Sequence, residues 1–371
     1  MRGDFSVIVG LIHTPKFQNN RKIMIVTPKQ LGFIMPAEWE KHSAVWLAWP
    51  FDKTTFTKGI DSAERTLCEI IKILKGSERV ELIVPNVSIQ NRAENLLKNL
   101  GNDLTNIKFH QVAFTDVWIR DYGPSFIVNR KQKKLAWVKW NYNAYGKAND
   151  PYFTDLLKDN KVFNILNPDG EKFIAEMVLE GGGIEVNGLG SLLTTKQTLL
   201  NLNRNPNLNE LQIRKYLDDY LGVNNIIWLE KGLTNDHTDG HIDEVARFVS
   251  SSKILVAYED DSSDENFKIL DDNYKILISA RDQDNKPFEV IKLPMPHMNY
   301  DDNQKAPVSY TNFYIGNTVV LVPTFRDEND KKAIQIIQLC FPNHKVLGIN
   351  CREIIYGGGS IHCMTQQQPA V

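Results

Sequence analysis

Five stretches of this chain follow one plan, in which a polar or reactive residue precedes apolar runs joined at a short turn. They are RDYGPSFIVNRKQKKLAWVKW from residue 120, EGGGIEVNGLGSLLTT from 180, GHIDEVARFVSSSKILVAY from 240, TNFYIGNTVVLVPTF from 311 and GGGSIHCMT from 357. Their leading residues, Asp121, Glu180, His241, Asn312 and Cys363, lie 51 to 71 positions apart. A repeat of this order implies units stacked around an axis. If each unit aims its leading residue at that axis, five residues remote in sequence meet in one place. Between these stretches the chain alternates β-branched runs, such as VELIVP (80–85) and KILVAY (253–258), with segments of helical apolar spacing. The helical segments include SAERTLCEIIKIL (62–74), SIQNRAENLLKNLG stopping at Gly101, and DKKAIQIIQLC (330–340) ahead of Pro342. No long linker interrupts the alternation, so the expectation is one α/β domain over residues 35–371 behind an N-terminal extension, residues 1–34.

Composition narrows the partners. A formal net charge of −2 provides neither a basic face for nucleic acid nor a polybasic patch for a membrane surface. No run reaches the ~18 apolar residues of a membrane span. Four cysteines, Cys68, Cys340, Cys351 and Cys363, are too scattered for a disulfide framework in a chain of 371 residues. The apolar stretch FSVIVGLI (5–12) lacks the basic start and small-residue cleavage site of a secretion signal, so a cytoplasmic protein is expected. Its partner is then a small molecule held in a pocket, and the number of subunits, including a homo-oligomer, is left open.

The leading residues carry the chemistry. In DVWIRDYGP (116–124), Arg120 reads as a structural ion-pair partner and Asp121 as the better ligand contact. Trp118 could lend an aromatic face to an organic cation. Glu180 stands before three glycines, which let a backbone approach a neighbour closely. No lysine or helix start suited to a phosphate loop accompanies them. In NDHTDGHIDEVARF (235–248), His237 and His241 are four apart, which on a helix would suit zinc, but Gly240 interrupts a helix. Alternation instead predicts a strand that puts His241 and Asp243 on one face. Cys363 follows glycines and a histidine on a loop, where a thiolate would be reachable, whereas the other three cysteines read as buried hydrophobes.

One thiol, one imidazole and three carboxylates without a closed metal set disfavour an anionic substrate. Carboxylates around a thiol raise its pKa unless a cation arrives. A guanidinium fits, since its fork of donors is accepted bidentately by carboxylates. Asp121 or Glu180 on one edge and Asp243 on another would hold it. Cys363 would attack its carbon, and His241 would serve as general acid and then as general base toward water. A metallohydrolase using His237, Asp239, His241 or Asp243, with Cys363 as a further candidate ligand, is the rival chemistry. A propeller that only binds a polyamine is the non-enzymatic rival.

The stretch MPAEWEKHSAVWLAWP (35–50), with VWIRDYGP, LEGGGIEVNG, HTDGHIDEVARF, SYTNFYIGN and GGGSIHCMTQQQP, resembles the agmatine deiminase family of the guanidine-modifying (pentein) superfamily. The resemblance implies a five-bladed α/β propeller with pseudo-fivefold symmetry. It also implies hydrolysis of agmatine to N-carbamoylputrescine and ammonia, a step of putrescine synthesis, without metal or organic cofactor. By matching motif positions it implies Cys363 as nucleophile, His241 as general acid and base, and Asp121 and Asp243 as guanidinium-binding carboxylates. Glu180 matches the acid supporting the histidine, Trp118 a pocket wall, and Asn312 a further contact. Bacterial peptidylarginine deiminases share the general pattern and form the alternative.

Overall fold

The computed structural model describes residues 26–371. Most of the expected extension, with its apolar stretch 5–12, lies outside the described residues. Residues 26–34 pack against the body of the protein: Ile34 bridges Val128, and the Phe33 side chain is buried.

Among the described residues, sixteen strands run in chain order: β1 (His42–Ala48), β2 (Arg79–Val84), β3 (Ile107–Gln111), β4 (Ser125–Asn129), β5 (Lys134–Asn141), β6 (Glu171–Val178), β7 (Glu185–Val186), β8 (Ser191–Thr195), β9 (Asn225–Leu229), β10 (Ala246–Ser250), β11 (Lys253–Tyr258), β12 (Glu289–Pro294), β13 (Tyr314–Ile315), β14 (Val319–Thr324), β15 (Lys345–Asn350) and β16 (Thr365–Pro369). They form five separate sheets of a mixed α/β fold, and four of these have the orders β4-β5-β6, β7-β8-β9, β10-β11-β12 and β13-β14-β15. In each, the first two strands form an antiparallel pair and the third adds in parallel. The fifth sheet, β16-β1-β2-β3, repeats the plan with its first strand taken from the C-terminus of the chain. The closing strand therefore pairs with the opening one, and the loop carrying Cys363 just before it is held in the body of the protein.

Helices cross from the hairpins to the parallel strands because their sequences are amphipathic. Ile60–Leu74 buries Ala63, Leu67, Ile70, Ile71 and Leu74, a spacing of three and four. Val87–Asn99 starts where the Asn86 side chain accepts from Ile89 N at 3.0 Å. Asp330–Cys340 stops before Pro342, as its sequence predicts. Among the described residues, no helix is long and apolar enough to cross a membrane.

This plan positions the chemistry. Every leading residue of the sequence repeat lies just before the first strand of a sheet: Asp121 before β4, Glu180 before β7, His241 before β10 and Asn312 before β13 each precede a hairpin, whereas Cys363 precedes β16, which pairs with β1 from the other end of the chain and forms no hairpin.

Candidate active site

Asp121 sits in the single helical turn Ile119–Tyr122, where it is buried. Its Oδ1 accepts from Gly182 N at 3.1 Å, and its Oδ2 accepts from the Tyr145 hydroxyl at 2.9 Å. Burial, reinforced by Asp243 and Glu180 and opposed by His241, pushes the carboxyl up to about 6. Arg120 points away from this centre. Its guanidinium donates to Gln367 Oε1 at 2.7 Å and to the His362 carbonyl at 3.3 Å, and it lies 3.5 Å from Glu38. Those contacts give it the structural role its sequence context suggests.

His241 does not sit on a strand. Ile242–Glu244 form a 3-10 turn, and the strand begins only at Ala246. The alternation misleads because Asp236 organises the preceding loop: its Oδ2 accepts from Gly240 N at 3.0 Å and His241 N at 3.2 Å. Gly240 turns the chain with φ +84°. The imidazole is delivered between two carboxylates, with Nδ1 3.7 Å from Asp121 and Nε2 4.0 Å from Glu180. Burial alone would lower its pKa, but Asp121, Asp243 and Glu180 together raise it, which favours the imidazolium. Glu180 is not free to grip a substrate edge with both oxygens, because Oε1 accepts from Arg204 Nε at 2.9 Å and both side chains are fully buried.

Cys363 is 7% exposed, and its sulfur is surrounded by polar groups. Asn312 Nδ2 lies 3.1 Å from Sγ, while Asn312 Oδ1 accepts from His362 N at 2.9 Å and from Ser360 Oγ at 2.7 Å. One amide thus shapes the nucleophile loop and touches the sulfur. Asp243 Oδ2 lies 3.8 Å from Sγ, and Glu244 Oε1 lies 4.0 Å from it. Burial, then Asp243, Glu244 and Asp121, pushes the thiol well above its ordinary value. Asp243 stays ionised despite its burial, because His362 Nδ1 binds it at 2.7 Å. The other nitrogen of His362 binds Glu38 Oε2 at 2.9 Å, and Arg247 approaches the same oxygen at 3.1 Å. Burial and Asp243 push Glu244 well above the usual carboxylate range.

The glycines that flank these residues allow the crowding. A Cβ on Gly182 would fall 2.6 Å from His241 Nδ1 and 2.9 Å from Asp121 Oδ1. One on Gly359 would fall 2.9 Å from the Trp118 ring and 3.1 Å from Cys363 Sγ. Trp118 therefore stands directly over the nucleophile loop. It also lines a cavity of about 660 Å³ with Asp116, Tyr145, Lys147, His237 and Gly357. Burial pushes the Asp116 carboxyl up to about 7.

The structure brings Trp118, Asp121, Glu180, His241, Asp243, Asn312 and Cys363 together. His237 stays beside Tyr145, its ring 5.4 Å from the phenol ring. Asp243, Glu244 and Cys363 are close enough to share a metal ion, and His237 and His241 do not belong to that group. The sequence reading missed Glu38, Tyr145, Arg204, Glu244 and Arg247. Glu38, Glu244 and Arg247 lie within motifs it had singled out, but Tyr145 and Arg204 have no local signal.

The chain matches the family described as Porphyromonas-type peptidyl-arginine deiminase over residues 34–369. It is 36% identical to an agmatine deiminase of Medicago truncatula, covering 93% of this chain and 98% of that relative. It superposes at a TM-score of 0.85 on the agmatine deiminase of Enterococcus faecalis catalysing its reaction, with 30% identity over 94% of this chain and 99% of that one. A cysteine-to-serine variant of C. jejuni agmatine deiminase with substrate bound matches at a TM-score of 0.79 and 29% identity, covering 91% of this chain and 96% of that one.

Proposed function

Since the chain belongs to the Porphyromonas-type peptidyl-arginine deiminase family, we propose that it hydrolyses agmatine to N-carbamoylputrescine and ammonia through a covalent amidino-cysteine on Cys363. The observation that carries this reading is a buried thiol with carboxyl oxygens of Asp243 and Glu244 at 3.8 and 4.0 Å and with Asp121 near enough to raise it further. Burial, and after it the charge of Asp243 and its neighbours, holds the thiol protonated, and a bound cation offsets the charge contribution. The substrate's own charge thus helps to generate the nucleophile.

The guanidinium lies between Asp121 and Asp243. Asp243 Oδ1, Glu180 Oε2 and both His241 nitrogens are buried with no hydrogen-bond partner among the described residues, so donors and acceptors face the substrate. Once the cation is bound, the thiol's proton passes to solvent, and Cys363 Sγ forms a bond to the guanidinium carbon as the C=N π pair moves onto nitrogen. The imidazolium of His241 gives its proton to the departing nitrogen, and ammonia leaves. Neutral His241 then takes a proton from water, whose oxygen adds to the amidino carbon. The carbon–sulfur bond breaks with its electron pair going to sulfur, the remaining hydroxyl proton passes to that sulfur and restores the thiol, and a neutral urea remains on the diamine. Glu180, anchored by Arg204, supports the imidazolium, while Asn312 holds the sulfur and Trp118 walls the reacting group.

The five sheets of like plan support a five-bladed α/β propeller with pseudo-fivefold symmetry, the single catalytic domain 35–371 behind an extension at 1–34. The proposed enzyme is cytoplasmic, acts in putrescine synthesis and requires neither metal nor organic cofactor. Asp116 and Asp150 line the cavity, and its Lys147 is paired with Asp239, which favours a diamine over a substrate bearing an α-carboxylate. The test is product formation from agmatine, arginine and an arginine-containing peptide, each with and without a chelator. Chelator-insensitive conversion of agmatine is expected. Preference for the peptide would move the protein to protein deimination, and loss of activity on chelation would overturn the metal-free mechanism.

A further inference from the structure

Ala144, Tyr145 and Gly146 adopt left-handed backbone angles in succession, with φ of 52°, 58° and 67°. Glycine takes such angles freely, but alanine and a bulky aromatic residue do so only at a cost in strain. A strained run of this kind persists only where the surroundings hold it. The hold is visible here. Gly146 lies so close to Asn203 that a Cβ would fall 2.3 Å from the Asn203 carbonyl oxygen. Asn143 Nδ2 donates to that same oxygen at 2.9 Å. Asn203 is followed by Arg204, the residue that anchors Glu180, so the turn is clamped to a loop already committed to the site.

The clamp delivers one side chain. Tyr145 is 3% exposed, and its hydroxyl donates to Asp121 Oδ2 at 2.9 Å. Its ring lies 6.1 Å from that of His241 and lines the cavity. Gly182 N donates to the other oxygen of Asp121 at 3.1 Å, so each carboxylate oxygen has one donor and the plane of the group is set. We propose that Tyr145 is a positioning residue for the deimination described above: its hydroxyl orients the Asp121 carboxylate toward the guanidinium, and the left-handed turn is retained because it delivers that hydroxyl. The inference rests on the functional reading but fails separately from it.

A hydrogen bond donated to a carboxylate favours its ionised form. Asp121 also faces His241, Asp243 and Glu180, and Tyr145 packs against Tyr142 and His237. In Tyr145→Phe those neighbours stay and one donor goes. The carboxyl then rises from about 6, and the acid limb of kcat/KM moves to higher pH. Neutral-pH kcat/KM on agmatine is expected to fall about tenfold or more, the scale for a hydrogen bond to a charged group. A tyrosine that merely packs would change thermal stability and leave the acid limb in place.

The experiment compares wild type with Tyr145→Phe across the pH range. It also measures agmatine affinity by calorimetry in Cys363→Ser, with and without Tyr145→Phe. An upward shift of the limb with weaker binding supports the proposal. An unmoved limb, or equal affinity in the calorimetric pair, overturns it. If wild type does not turn over agmatine, the functional reading fails, and the calorimetric pair with agmatine and with guanidinium chloride still decides the role of Tyr145. Failure of both probes to bind overturns both.

Discussion

Replacing Gly182 with alanine adds one methyl group at the point where three functional side chains converge. The new carbon would lie 2.6 Å from His241 Nδ1, 2.9 Å from Asp121 Oδ1 and 3.1 Å from Asp243 Oδ2. Unstrained contact begins near ~3.5 Å, so the imidazole must retreat by roughly 1 Å, and both carboxylates must give as well. A displacement of that size at a reacting group costs on the order of 10²-fold in rate. The backbone of Gly182 lies outside the left-handed region, so alanine fits its φ and the loss is steric, not conformational. Overpacking should also lower stability by about 1–3 kcal/mol. Gly183 provides the control on the same loop, because its Cβ would meet Thr198 Cγ2 at 3.3 Å and the His241 ring only at 3.9 Å. Ammonia release should therefore fall by at least ~10²-fold in kcat/KM for Gly182→Ala and much less for Gly183→Ala. A Gly182→Ala enzyme close to wild type, or equal damage from both substitutions, would show that the three groups do not act from the positions seen here.

Two other substitutions test the remaining parts of the site. Cys363→Ser should abolish turnover while agmatine still binds, because Asp121 and Asp243 remain; calorimetry beside a rate assay checks this, and comparable turnover by the serine enzyme would sink the covalent route. Arg204→Met strands the fully buried Glu180 without its cation. Breaking such a pair costs about 3–5 kcal/mol, so denaturant unfolding should show a loss of that order, and a change under ~1 kcal/mol would mean that Glu180 is stabilised by something else.

The repeat was legible because each unit is local. A hairpin and the loop feeding it occupy a couple of dozen residues, and turn chemistry plus apolar alternation mark them without knowledge of any partner. This is why Asp121, Glu180, His241, Asn312 and Cys363 could be picked out from spacing and residue type. The local stop signals at Gly101 and Pro342 likewise agree with helices ending at Asn99 and Cys340. The strand expected at His241 failed for a reason of the same range: an aspartate five residues upstream bonds the backbone there and imposes a turn that alternation cannot show.

What sequence could not display is the support beneath these residues. Glu38 joins His362, Arg247 and Arg120 across separations of 82 to 324 positions, and nothing local marks it as different from any glutamate near a strand. Its carboxyl is held well below the ordinary range, because Arg247 and His362 outweigh its burial. His362 places both ring nitrogens on carboxylates, Asp243 on one side and Glu38 on the other, so both nitrogens are engaged. The histidine beside the nucleophile therefore has no free nitrogen with which to act as its base. The proposed acid and base role of His241 is supported by this contrast: its two nitrogens are buried without a hydrogen-bond partner among the described residues, whereas those of His362 are spent on Asp243 and Glu38.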